Sequence, residues 1–209
     1  MELNVYGEYA QGPWRTPKEI VAAANSNRDE WFPGKLELRQ MASSGAGVVE
    51  GAPNVWNLLC LIVRYKPARV NIFTHATSGY IGMSGTVVKG NVYFAKSPAA
   101  EFGPETINEA GEDGFTFSDA KTKGATMGDV HQALGTSSQI VVYACHSGSD
   151  TAYLKRLAKL LRTKVGGFDQ SIRFYPTLSR DQKSLDWQYS TGGAKVRDFH
   201  GLTPTFVSE

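Results

Sequence analysis

Two short, almost unbroken apolar runs stand out along the chain: Val70-Asn71-Ile72-Phe73-Thr74 and Ile140-Val141-Val142-Tyr143-Ala144. Runs of this length, rich in β-branched and aromatic residues, read as strands covered on both faces. A helical period follows the second run. Leu154, Leu157, Ala158 and Leu161 fall at i, i+3, i+4 and i+7, with Lys155, Arg156, Lys159 and Arg162 on other faces. Asn54 is placed to cap a second helix, Val55 to Tyr65, whose Trp56, Leu58, Leu59, Ile62 and Val63 predict near-complete burial before Pro67 ends it. Thr16-Pro17-Lys18-Glu19 is a helix start, with Thr16 as cap and Pro17 at the first helical position. That helix should run to about Ala24, and a short one should span Gly128 to Leu134.

Alternation of apolar and polar positions predicts further strands. Glu2 to Tyr6 alternates around Leu3 and Val5, and Lys35 to Met41 alternates around Leu36 and Leu38, the mark of a half-buried strand. Tyr80 to Val88 and Asn91 to Phe94 form a hairpin through Lys89-Gly90, and Lys164 to Phe168 and Ser171 to Tyr175 are short strands. Ala42 to Pro53 reads as a loop. Ala95 to Thr126 is polar and reads as an insertion or lid, with a short helix near Glu105 to Glu109. Residues 177–209 read as a polar C-terminal strap. The alternation of helices and buried strands predicts one α/β layered domain over 1–209, its core at about 68–176, with a mainly parallel sheet and a mixed edge.

Composition narrows the function classes. The 209 residues are 41% hydrophobic and carry a formal net charge of +2, which gives no reason to expect a nucleic-acid partner. No apolar run approaches the roughly 18 residues of a membrane span, and the first residues lack a secretory pattern. The expectation is therefore no membrane insertion, and a cytoplasmic protein or one exported without a cleaved signal. Cys60 and Cys145 do not make a disulfide scaffold, and with four histidines they show no metal spacing. No metal or other cofactor is expected.

The candidate chemistry lies where the two apolar runs end. His75 follows one and Cys145 the other, so neighbouring strands would carry both to the same edge of the sheet, where open α/β sheets place their ligands. A thiolate is the reactive form of cysteine, and an adjacent imidazole promotes it and moves its protons. Gly79, Gly148 and the backbone at His146 are candidate supports or oxyanion donors, and Tyr143 and Asp150 are candidate substrate contacts, with Asp169 and Asp181 as further acidic candidates. Cys60, on its apolar helix, reads as a small buried hydrophobe. His131 and His200 read as surface residues. Walker, G-x-G-x-x-G and G-x-S-x-G patterns are absent.

Cys145-His146-Ser147-Gly148-Ser149 after an apolar strand, preceded in the chain by Phe73-Thr74-His75, resembles the paired marks of metacaspases and related caspase-like peptidases. The resemblance covers about Val70 to Tyr175. It implies a caspase–haemoglobinase-like three-layer α/β/α sandwich with a β-hairpin insertion. It also implies hydrolysis of peptide bonds in a protein or peptide substrate, with Cys145 as nucleophile and His75 as its partner. Two positions differ from that pattern. Ala76 stands where the family usually has glycine, and Tyr143 stands where metacaspases carry the aspartate that reads a basic P1 side chain. A basic P1 specificity is therefore not implied, and calcium activation is neither required nor excluded. A divergent branch fits, such as a bacterial effector or toxin-like protease. Two alternatives stand beside it: a catalytically inactive caspase-like binding module, and a cysteine amidase or deamidase on the same dyad.

Overall fold

A computed structural model describes residues 1–11, 16–26, 34–88, 91–97, 99–183, 185–191, 194–196 and 204–208. The predicted turn at Gly12-Pro13, the hairpin tip Lys89-Gly90 and His200 lie outside them. The first strand, β1 (Glu2–Gln11), is followed by α1 (Pro17–Ser26), α2 (Lys35–Ala42), β2 (Val48–Ala52), α3 (Val55–Tyr65) and β3 (Arg69–Phe73). Then come β4 (His75–Thr77), β5 (Tyr80–Gly82), β6 (Ser84–Val88), β7 (Asn91–Phe94), β8 (Glu101–Phe102), α4 (Pro104–Ala110) and α5 (Met127–Leu134). The chain continues through β9 (Gln139–Tyr143), α6 (Thr151–Leu161), β10 (Lys164–Gly167), β11 (Ile172–Leu178), β12 (Leu185–Thr191), β13 (Ala194–Val196) and β14 (Thr205–Val207).

The main sheet has the order β14-β10-β9-β3-β1-β6-β7, with β2 also paired to β1. Pairings of β1 with β2, β3 and β6, and of β9 with β3 and β10, are parallel, whereas the two edge strands β7 and β14 are antiparallel. This is the mainly parallel sheet with a mixed edge that the apolar runs predict. Two small antiparallel sheets, β4-β5-β8 and β11-β12-β13, flank it.

Alternation along the central strands divides the core between the two faces of the sheet. Leu3, Val5, Val70, Ile72, Ile140, Val142 and Ala144 pack on one side against Leu58, Leu59 and Ile62 of α3, Val130 of α5, and Leu154, Leu157 and Leu161 of α6. Tyr6, Tyr9, Phe73, Val141 and Tyr143 pack on the other side against Leu38 and Met41 of α2. Helix boundaries follow their caps. The Asn54 side chain accepts from Asn57 N at the start of α3, and Asp150 accepts from Tyr153 N at the start of α6.

Several sequence expectations need correction. Lys35 to Met41 is not a strand but helix α2. Leu36 is 58% exposed, while Leu38, Met41 and Ala42 are buried at i, i+3 and i+4, and the Glu37 carboxylate accepts from Gly34 N–H at 3.0 Å. The stretch Ala42 to Pro53 is not wholly loop, because Val48–Ala52 pairs in parallel with β1. The hairpin is formed by β6 and β7 alone; Tyr80–Gly82 is a separate strand paired with β4 and β8. Residues 177–209 do not merely strap the surface, since β12 and β13 extend a sheet begun by β11 and β14 completes one edge of the main sheet.

Residues 95–126 contribute Phe102, Ile107, Phe117 and Ala125 to the principal core. Trp56 of α3 lies against Phe115 and Phe117, with ring centroids 4.9 and 6.2 Å away. Arg64 bonds Asp119 at 2.5 Å. No helix among the described residues is long and apolar enough to cross a membrane.

Candidate active site

Strands β3 and β9 are hydrogen-bonded neighbours, with Phe73 opposite Tyr143 and Thr74 N donating to Tyr143 O at 3.3 Å. His75 and Cys145 each follow the end of that register by two residues, His75 opening β4 of a small flanking sheet and Cys145 lying in the turn after β9. Both side chains reach residues of the aromatic core. His75 meets Tyr9, and Cys145 reaches the carbonyl of Ile172; Tyr9 and Ile172 are members of the aromatic core under α2.

His75 opens β4 and is 6% exposed. The Tyr9 ring stands edge-on to the imidazole, with centroids 4.6 Å apart and planes at 89°. Tyr9 is fully buried, and that burial pushes its phenol well above the ordinary value, so it stays a neutral wall beside the imidazole. Tyr9 was not among the residues singled out from the sequence. It lies beyond the part of β1 whose alternation was readable, and only the pairing of β1 with both β3 and β6 brings it beside His75.

Cys145 is half-buried, and Cys60 is fully buried. Burial, followed by the nearby Asp119 carboxylate, pushes the Cys60 thiol up to about 11. Cys60 is therefore the unreactive thiol of the pair. The Cys145 Sγ donates to Ile172 O at 3.2 Å.

The turn after Cys145 is fastened to the segment after β10 by a ladder of bonds. His146 N donates to Gln170 O at 3.0 Å, Gly148 N to Phe168 O at 2.8 Å, and Phe168 N to Ser147 Oγ at 3.1 Å. The Ser147 hydroxyl donates back toward Val142 O and Ala144 O. The His146 ring bridges Asp169 O at Nδ1, 3.3 Å, and Ser171 Oγ at Nε2, 2.9 Å. His146 has φ +53, a left-handed conformation that histidine, with asparagine and aspartate, adopts more often than other non-glycine residues. Left-handed non-glycine residues cluster at functional sites.

The remaining sequence candidates separate into three places. Gly148 is needed for close backbone approach: a Cβ there would lie 2.6 Å from Gly167 C. Its N–H is already bonded, as are those of His146, Ser147 and Ser149, so none of the four points free at an oxyanion site. Gly79, at φ +82 in the turn between β4 and β5, lies across from Asp150; its missing Cβ would be 3.6 Å from Asp150 Oδ2. These two lie beside one another, Gly79 in the turn that follows His75 and Asp150 at the start of α6. Tyr143 is 1% exposed, stacked on Phe73 at 4.8 Å, and receives a bond from Arg69 Nη2 at 3.4 Å. His131 is also no plain surface residue, because its Nε2–H donates to Leu160 O at 2.7 Å and ties α5 to α6. Asp169 and Asp181 are set differently, the first carrying its carbonyl to His146 and the second bonded locally to Ser179 Oγ and Lys183 N. Among the described residues, no group of three or more His, Cys, Asp or Glu is arranged to hold a metal ion.

No protein-family model matches the chain, and neither a curated protein nor a solved structure matches it.

Proposed function

We propose that this protein is a caspase-like cysteine endopeptidase, on a caspase–haemoglobinase-like sandwich, that cleaves a protein or peptide substrate with Cys145 as nucleophile and His75 as acid–base partner. One observation carries the reading. Adjacent parallel strands β3 and β9 run in register to Phe73 and Tyr143, and a histidine and a half-buried cysteine follow their two ends. His146, which follows the cysteine immediately, has φ +53. In the proposed reaction the Cys145 proton passes to His75 as Sγ leaves Ile172 O and attacks the scissile carbonyl. His75 then protonates the departing amine. Water, deprotonated by His75, releases the acyl group and restores the thiol. In this reading the turn at Gly79 holds the developing oxyanion, with Asp150 beside it to read the substrate.

The contact between Cys145 Sγ and Ile172 O favours a second reading, a closed or non-catalytic form of the same scaffold. A peptide library presented to wild type, Cys145→Ala and His75→Ala separates them. The proposal expects new peptide amines from wild type alone. Ammonia without peptide cleavage would assign the dyad to an amidase instead, and equal turnover by pure Cys145→Ala protein would overturn the proposal.

A further inference from the structure

We propose that the cavity between α4, α5 and α6 is a binding site for a small ligand carrying clustered phosphate groups. This site is independent of the chemistry at Cys145. α6 leaves the Cys145 turn at its first residue, and the cavity lies along its second half. Its volume is about 590 Å³, within the range typical of small-molecule sites.

One wall is cationic. Arg156, Lys159 and Arg162 of α6 all line it, and among the described residues none of them belongs to an ion pair. Arg156 Nη2 donates to Asn108 Oδ1 of α4 at 3.1 Å. Lys159 and Arg162 also face the carbonyl end of α6, where cations complement the helix dipole. That effect fades within the last turn, and Arg156 lies before it, so the dipole does not account for Arg156. Arg162 ends the helix at φ +50, where glycine is the usual residue. An arginine there directs a third cation to the cavity at a conformational cost. Arg156 and Lys159, three positions apart on one helix, repel one another until an anion lies between them.

The floor suits the rest of such a ligand. Ile107, Phe115, Met127 and Leu160 present apolar surface against which a flat ring can lie. Glu112 and Asp113 stand on the facing turn. They disfavour an extended polyanion crossing the cavity and favour a compact ligand, with hydroxyl donors or a bound divalent ion turned toward the carboxylates. His131 takes no direct part, since its Nε2–H is committed to Leu160 O.

Titration calorimetry of the full chain with ATP and with inorganic tripolyphosphate, each with and without magnesium, tests the site. Saturable binding that weakens as salt rises is expected. Arg156→Gln/Lys159→Gln should lose at least about tenfold in affinity, as expected for removing charge-assisted contacts. Lys155→Gln, exposed and outside the cavity, should bind as wild type. Tighter binding of ATP than of tripolyphosphate would assign the apolar floor to a nucleoside, and equal binding would assign the site to phosphate groups alone. Absence of saturable binding by either probe, or unchanged binding by the double variant with a wild-type melting curve, would overturn the proposal.

Discussion

At the scale of single residues the two thiols differ by environment. Cys60 is buried in α3 and its thiol is raised to about 11, so at neutral pH it is almost wholly protonated. Cys145 lies half-buried in the turn after β9. Iodoacetamide at neutral pH should therefore modify Cys145 in folded protein and leave Cys60 intact until denaturant is added, as read by peptide mass spectrometry. Modification of Cys60 in native protein would contradict the packing. Under the proposed peptidase reading, replacing His75 by alanine should lower peptide turnover by about 10²–10⁴-fold, the usual contribution of a positioned acid–base group. The melting temperature separates this loss from simple unfolding, because the variant also removes a ring that packs on Tyr9.

At the scale of elements, legibility depended on length and on where the partner lies. The runs that became β3 and β9 were readable because both faces are covered, so hydrophobicity is continuous. Helices α3 and α6 were readable from long periods with clear caps. In α2, eight residues fit two periods at once: Leu36 and Leu38 suggest alternation, while Leu38, Met41 and Ala42 form the helical stripe that is buried. Strand β14 has three residues and owes its existence to β10, so its own sequence carries little signal.

The strand ends bearing His75 and Cys145 could be read locally. The ladder from residues 168–172 onto the Cys145 turn could not, because it joins distant backbone groups. Gly148 marks where it closes. Gly148→Ala would drive a Cβ into Gly167, so the turn must shift, and both thermal stability and Cys145 labelling should fall. Retention of both at wild-type levels would refute the close approach.

The α5 cap yields a pH prediction. Bonds from Thr126 Oγ1 and Thr126 N hold the Asp129 carboxyl below its ordinary value near 3.8. Its contribution is thus fully present above that ordinary value and is lost as pH falls through the lower, folded-state value. Asp129→Asn should flatten the acid side of the stability profile, with less change in slope near neutrality.

At the scale of the whole molecule, the sheet separates two cores and sets the site at its carboxyl edge. The larger core joins α3, α4, α5 and α6 and incorporates residues 95–126; the smaller, aromatic core lies under α2 and ends at His75 and Cys145. Leu58→Ala, in the larger core, should cost about 2–5 kcal/mol by denaturant titration. If thiol labelling of Cys145 survives below the unfolding midpoint, the core supports the site without taking part in it.

The most direct measurement is labelling of purified protein by a peptide acyloxymethyl ketone library, with the modified residue located by mass spectrometry in wild type and His75→Ala. The account predicts selective modification of Cys145 in wild type, strongly reduced in folded His75→Ala, and a preferred peptide that defines the P1 residue read beside Asp150. Equal labelling of Cys145 in both proteins, or no labelling of folded wild type with and without calcium, would contradict a working dyad.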